Sequence, residues 1–229
     1  MKSAILEKGE KYYTYLKKVF NAIENEQIKF NWLITNCECY PKNEDLNELF
    51  SKEYVWISGE KLTDAINKED IQFIWGVFSG FSKDITLEEI LMYDLPFADG
   101  NERYWVDNVV IQHPLANIEI VAWDSTLIMF ISRDNELVQR YMNSFPLAKD
   151  LSAQNAKQNT EIAYIEELLT NELNKRNIRI CQDLLFKKYT IWNKLYYKKD
   201  NTVEDKDIIQ CIMDVLKLKE EIIKSKEDF

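Results

Sequence analysis

Ile118-Glu119-Ile120-Val121-Ala122-Trp123-Asp124-Ser125-Thr126-Leu127-Ile128-Met129-Phe130-Ile131 consists of two apolar runs joined by three turn-forming residues. Short runs rich in β-branched and aromatic residues read as strands, and so brief a link predicts an antiparallel hairpin. Glu119 interrupts the first run. Alternation along a strand turns its side chain away from those of Ile118 and Ile120, and an open sheet face on that side would leave the carboxylate in solvent.

Reading outward, Ile71-Gln72-Phe73-Ile74-Trp75-Gly76-Val77-Phe78 is almost wholly apolar and predicts a strand buried on both faces. Phe30–Cys37, closed by Tyr40-Pro41, and Tyr54–Ile57 supply further strands. Helical spacing of Tyr12, Tyr15, Leu16, Val19, Phe20 and Ile23 predicts a helix over Glu10–Asn25. Asn43 and Ser58 are placed to cap two short helices, and Thr86-Leu87-Glu88-Glu89 fits a capping box. A last helix is expected from Asn135 to Asn143. Between Asp94 and Pro114 no period emerges, and Pro96, Gly100 and Pro114 mark turns.

The sum is an α+β fold: a five- or six-stranded, mixed or largely antiparallel sheet flanked by helices over residues 1–150, followed by a C-terminal helical region over 151–229. The polar stretch Ser152–Asn159 reads as a connector. Beyond it three helices are expected, marked by Ile162 to Leu173, Cys181 to Tyr196 and Ile208 to Ile223.

Charge divides at the same place. Residues 1–150 carry 15 Lys+Arg against 25 Asp+Glu, whereas residues 151–229 carry 14 of each. An acidic surface attracts basic partners and repels nucleic-acid phosphates at long range, so nucleic acid is disfavoured. Lys187–Lys199 mixes cations with Tyr189, Trp192 and Tyr196, but on a helix those rings join the apolar stripe and the lysines become its rim. No apolar stretch predicts a signal peptide or a membrane span, and four cysteines in no scaffold spacing fit a reduced, cytoplasmic protein.

Catalytic motifs are absent. The single histidine, His113 in Gln112-His113-Pro114, cannot build a multi-histidine metal site and suits a turn. Ser125 has no nucleophile elbow around it. Cys37-Glu38-Cys39 sets two thiols on one strand face, but zinc needs two further ligands, so small buried hydrophobes are the better account. Neither a metal nor a cofactor is expected. A carboxylate-dependent hydrolase or nuclease built on Glu119 and Asp124 is the alternative from another class. A structural subunit that self-associates through its helical tail is a third.

One local feature points to a partner. Asp94-Leu95-Pro96-Phe97-Ala98-Asp99-Gly100-Asn101-Glu102-Arg103-Tyr104-Trp105-Val106-Asp107 sets acids among aromatics in the irregular stretch. Exposed, such a loop suits a Lys- and Arg-rich protein: rings supply contact area and carboxylates supply steering. The expected contact residues are Glu38, Asp94, Asp99, Glu102, Trp105 and Asp107. A loop that merely covers the sheet would turn Phe97 and Trp105 inward instead.

Residues 9–155 resemble the small acidic immunity proteins that accompany bacterial polymorphic toxins. The resemblance is carried by Phe30–Pro41, Trp56-Ile57-Ser58-Gly59-Glu60, Phe73–Phe81 and Ile118–Thr126. It implies a non-catalytic, cytoplasmic inhibitor of a basic toxin or nuclease effector. It assigns no individual binding residue, and the helical tail past Thr160 lies outside it, as an added oligomerisation or partner-binding element.

Overall fold

The computed structural model describes residues 2–159. The three expected C-terminal helices, with Cys181, Cys211 and the Lys187–Lys199 stretch, lie outside the described residues. Residues 1–155 form one compact unit.

Seven strands make a single sheet: β1 (Lys2–Leu6), β2 (Phe30–Cys39), β3 (Tyr54–Ser58), β4 (Phe73–Ser82), β5 (Ile118–Trp123), β6 (Leu127–Ser132) and β7 (Lys149–Asp150). Their order is β3-β2-β4-β5-β6-β1-β7, and every neighbouring pair is antiparallel. The predicted hairpin is present, with Trp123 opposite Leu127 and Ile118 opposite Ser132. Asp124 and Ser125 take left-handed φ values of 47° and 54°, which reverse the chain in the sense that a twisted hairpin favours. β1 was not foreseen. It slots between β6 and β7, with Lys2 opposite Ser132 and Ala4 opposite Asp150.

Five helices precede residue 150, all but the first opened by a side-chain N-cap. They are α1 (Leu16–Ala22), α2 (Glu44–Phe50), α3 (Gly59–Lys68), α4 (Leu87–Ile90) and α5 (Asn135–Ser144). The Asn43 side chain accepts from the Leu46 N–H and Ser58 from the Lys61 N–H, as predicted. Thr86 and Glu89 close both halves of the capping box. The expected Glu10–Asn25 helix shrinks to α1: Tyr15 at its start offers no side-chain cap, and Glu24 and Asn25 adopt left-handed φ just past its end. The expected connector is instead helical at 151–159, with Leu151 and Asn155, one turn apart on the same face, buried.

Two cores sandwich the sheet. On one face, α1, α2, α3 and α5 pack Leu16, Phe20, Phe50, Leu62 and Tyr141 against Trp32, Phe78, Ile120 and Phe130. On the other, Leu33, Val77, Val121 and Met129 lie beneath Ile90 of α4 and Ala98, Tyr104, Trp105 and Ile111 of the stretch without period. β5 and β6 are consequently buried along their whole length.

The helix layer leaves no room at Gly59, where an added Cβ would meet the Gln27 carbonyl oxygen at 2.1 Å and the Ile28 Cα at 2.7 Å. Both atoms belong to backbone, held where Trp32 Nε1 donates to that same carbonyl at 2.9 Å. Gly59→Ala is expected to cost about 2 kcal/mol or more in a urea unfolding experiment. Gly100→Ala, strained by φ +70° but with open space around it, is expected to cost about 1 kcal/mol. Equal midpoints for the two variants would contradict the close approach at Gly59.

Candidate functional site

Backbone without regular structure must find its hydrogen bonds elsewhere, and here side chains, buried ones except for Asn36, supply them. Asn36, itself in the left-handed region at φ 47°, accepts the N–H groups of Ala98 and Asp99 on Oδ1 at 2.8 and 3.0 Å. Thr35 Oγ1 donates to the Pro96 carbonyl at 2.6 Å. Asn101 Nδ2 donates to the Phe97 carbonyl and to Gln112 Oε1, both at 2.8 Å, while its Oδ1 accepts from the Arg103 N–H at 3.0 Å. Asn155 Nδ2 reaches the carbonyls of Tyr104 and Val106 at 2.9 Å each. The stretch is irregular yet fixed at several points.

Glu119 sits beneath it, wholly buried. That face of the sheet is not open to solvent, because the second layer covers it. Tyr104 Oη donates to Oε1 at 3.0 Å, Ser79 Oγ to Oε2 at 3.3 Å, and the Gln112 N–H to both oxygens at 3.3 Å. Burial outweighs these donors and pushes the carboxyl up to about 7. Burial and the neighbouring Glu119 also raise the Tyr104 phenol well above its ordinary value.

His113 is buried a few residues on. Its Nε2 lies 3.1 Å from the Ile90 carbonyl and its Nδ1 accepts from the Leu115 N–H at 3.2 Å, which sets a neutral ring protonated on Nε2. Its ring meets those of Phe81 and Tyr93 edge-on. Burial lowers its pKa. This is the turn-forming role that the sequence suggests, and it leaves neither nitrogen spare for general base chemistry.

The expected contact residues separate into two groups. Glu38, Asp94, Asp99, Glu102 and Asp107 are exposed. Trp105 is not: it is buried and meets Trp123 edge-to-face at 5.1 Å. Trp105 is therefore a core residue and leaves the set of contact residues, because the face of β5 needs its area. Phe97 does the opposite and is 48% exposed. The strand end carrying Glu38 lies beside the 96–99 turn, since Thr35 and Asn36 hold that turn; Tyr40 Oη donates to the Glu38 carboxylate at 3.0 Å.

The carboxylate pair of the hydrolase alternative does not converge. Glu119 points into the second core, whereas Asp124 is exposed in the hairpin turn, about 15 Å along at 3.3 Å per residue. Paired acids for glycoside hydrolysis stand roughly 5–10 Å apart. Among the described residues no group of three His, Cys, Asp or Glu could hold a metal ion. Cys37 and Cys39 are free and half-buried against the helix-side core, and the hydrogen bond between their thiols together with burial raises the pKa of Cys37. An open depression of about 780 Å³ lies between Tyr40–Asn43 and Lys68–Gln72. Its Glu69 is already committed, accepting the N–H groups of Lys42 and Asn43 at 2.9 and 3.0 Å.

Sequence reasoning missed the residues that fix the surface: Thr35, Asn36, Asn101, Tyr104 and Asn155. None sits in a repeating pattern. A left-handed asparagine and a buried amide leave no local signal apart from their residue type.

A family model described as "Protein of unknown function (DUF2691)" matches residues 1–99, which run from β1 through the 96–99 turn. No curated protein and no solved structure matches the chain. Among the described residues no helix is long and apolar enough to cross a membrane.

Glu119 gives the site a pH signature. In the unfolded chain this carboxyl ionises near 4.5, and in the fold near 7, so its stabilising contribution is complete below 4.5 and declines as pH rises to about 7. The difference amounts to roughly 3 kcal/mol. Glu119→Gln is expected to gain on the wild type by that order between pH 4.5 and pH 8, measured by urea unfolding of both. A gap that does not change with pH would mean that the carboxylate is ionised throughout.

Proposed function

We propose that this protein is a non-catalytic, cytoplasmic binding module that neutralises a basic toxin or nuclease effector. The carrying observation is where its exposed apolar groups lie. Of nine large hydrophobic residues exposed among the described residues, six fall between 91 and 110: Leu91, Met92, Tyr93, Phe97, Val106 and Val110. Chance exposure would scatter them singly over the surface. Interspersed with them are the exposed carboxylates of Asp94, Asp99, Glu102 and Asp107, with Arg103 the one cation in that interval.

Apolar area ringed by like charge is the composition of a protein contact with an oppositely charged partner. The fixed backbone beneath supports the same reading, because a loop ordered in advance loses little entropy on binding. Glu38 and Tyr40, both exposed, extend the surface past the 96–99 turn. Trp105 and Glu119 serve from below, as the core that holds the turn-rich layer on the sheet.

The test is co-expression with the product of the neighbouring gene. Rescue of growth by the wild-type chain, and loss of rescue by Asp94→Lys/Asp99→Lys, is the expected outcome. In stopped flow with the purified partner, association should slow about tenfold or more between 50 and 500 mM salt. A rate indifferent to salt, or full rescue by the charge-reversed variant, would sink the reading.

A further inference from the structure

The two edges of the sheet are treated differently. One edge is β7, two residues long and formed by Lys149 and Asp150, a short charged strand of the kind that guards an edge against pairing. The other is β3, Tyr54-Val55-Trp56-Ile57-Ser58, which has five residues, no charge and no proline. Its inner side pairs with β2 from Asn31 to Thr35. Among the described residues its outer N–H and C=O groups make no hydrogen bond.

Such an edge invites an added strand, whose backbone would take up the bonds left over by β3. The surroundings specify what kind. Glu44, Asp45 and Glu48 are exposed on α2, which packs against β3, and Glu53 and Glu60 flank the strand at its two ends. Lys52 and Lys61 are cations among these neighbours, and Lys83 is already ion-paired with Glu60. At the Tyr54 end the acids of the surface described above come close: Thr35 pairs with Tyr54 and also donates to the Pro96 carbonyl, between Asp94 and Asp99. A second copy of this chain would bring the same acids against themselves. A strand bearing lysine or arginine would not.

We propose, building on the function inferred above, that β3 accepts an extended basic segment of the partner as an eighth strand. Main-chain hydrogen bonds supply the register. Cationic side chains at alternate positions face the carboxylates of α2 on one side of the sheet, while apolar ones lie along the half-buried Tyr54 and Trp56 on the other.

The full chain, titrated with an acetylated peptide alternating lysine and valine over nine residues, tests this. Backbone amides of alternate β3 residues should slow in hydrogen exchange by tenfold or more. A peptide of the same sequence with its pairing amides N-methylated, or one with glutamate for lysine, should leave them unchanged. Protection by the glutamate peptide would overturn the basic occupant, and protection without peptide that rises with protein concentration would assign the edge to a second copy. Capture of the neighbouring gene's product with β3 amides still unprotected would overturn strand addition and leave the functional reading intact. Failure of that product to bind at all, with the lysine peptide still protecting β3, would overturn the functional reading alone.

Discussion

A strand buried on both faces needs a layer on each side, and β5 and β6 are such strands. Helices can cover one face because the chain that links β2, β3 and β4 folds into α2 and α3, and α1 and α5 join them. The other face falls to the connection between β4 and β5. That segment has too few regularly spaced apolar residues for a long helix, so it covers the sheet by alternation of another kind: one residue is driven inward as anchor, and the next is left outside. Ile90, Ala98, Tyr104, Val109 and Ile111 are the anchors, and Met92, Phe97, Val106 and Val110 are what remains outside. The exposed apolar surface is thus a by-product of the way the sheet is closed.

Closing a sheet with irregular backbone carries a polar cost, and the buried amides and hydroxyls meet it. Glu119 belongs to this group. Its carboxyl gathers Tyr104, Ser79 and the Gln112 amide at one point, joining two strands to two separate places in the covering layer. An apolar residue there would bury more easily but would leave the Gln112 N–H and the Tyr104 hydroxyl without those acceptors. The network favours one arrangement of the layer over many.

Much of the fold was legible because it follows local rules. Asn43, Ser58 and Thr86 announce their helices by chemistry that acts over three residues, and the two runs around Asp124 announce their own pairing. β1 escaped because five residues far in sequence from their pairing strands say little until those partners are known. The site was half legible. Its acids stand out by composition, and Glu38, Asp94, Asp99, Glu102 and Asp107 are indeed exposed. Whether Trp105 or Phe97 faces outward depends on which one Trp123 needs as a neighbour, and that is a long-range fact. The facing of Glu119 stayed open for the same reason, since nothing near it in sequence reveals that a second layer crosses above it.

The place of β1 has a bearing on how the molecule is made. Lys2 sits opposite Ser132 and Ala4 opposite Asp150, so this segment, made before the rest of the unit, has no sheet neighbours until nearly all of the unit has left the ribosome. Until then Ala4, Ile5 and Leu6, buried in the finished sheet, remain uncovered. Assembly of the sheet must therefore end with the two ends of the unit meeting, and a nascent chain that stalls before β6 exposes β1 as an unpaired apolar strand.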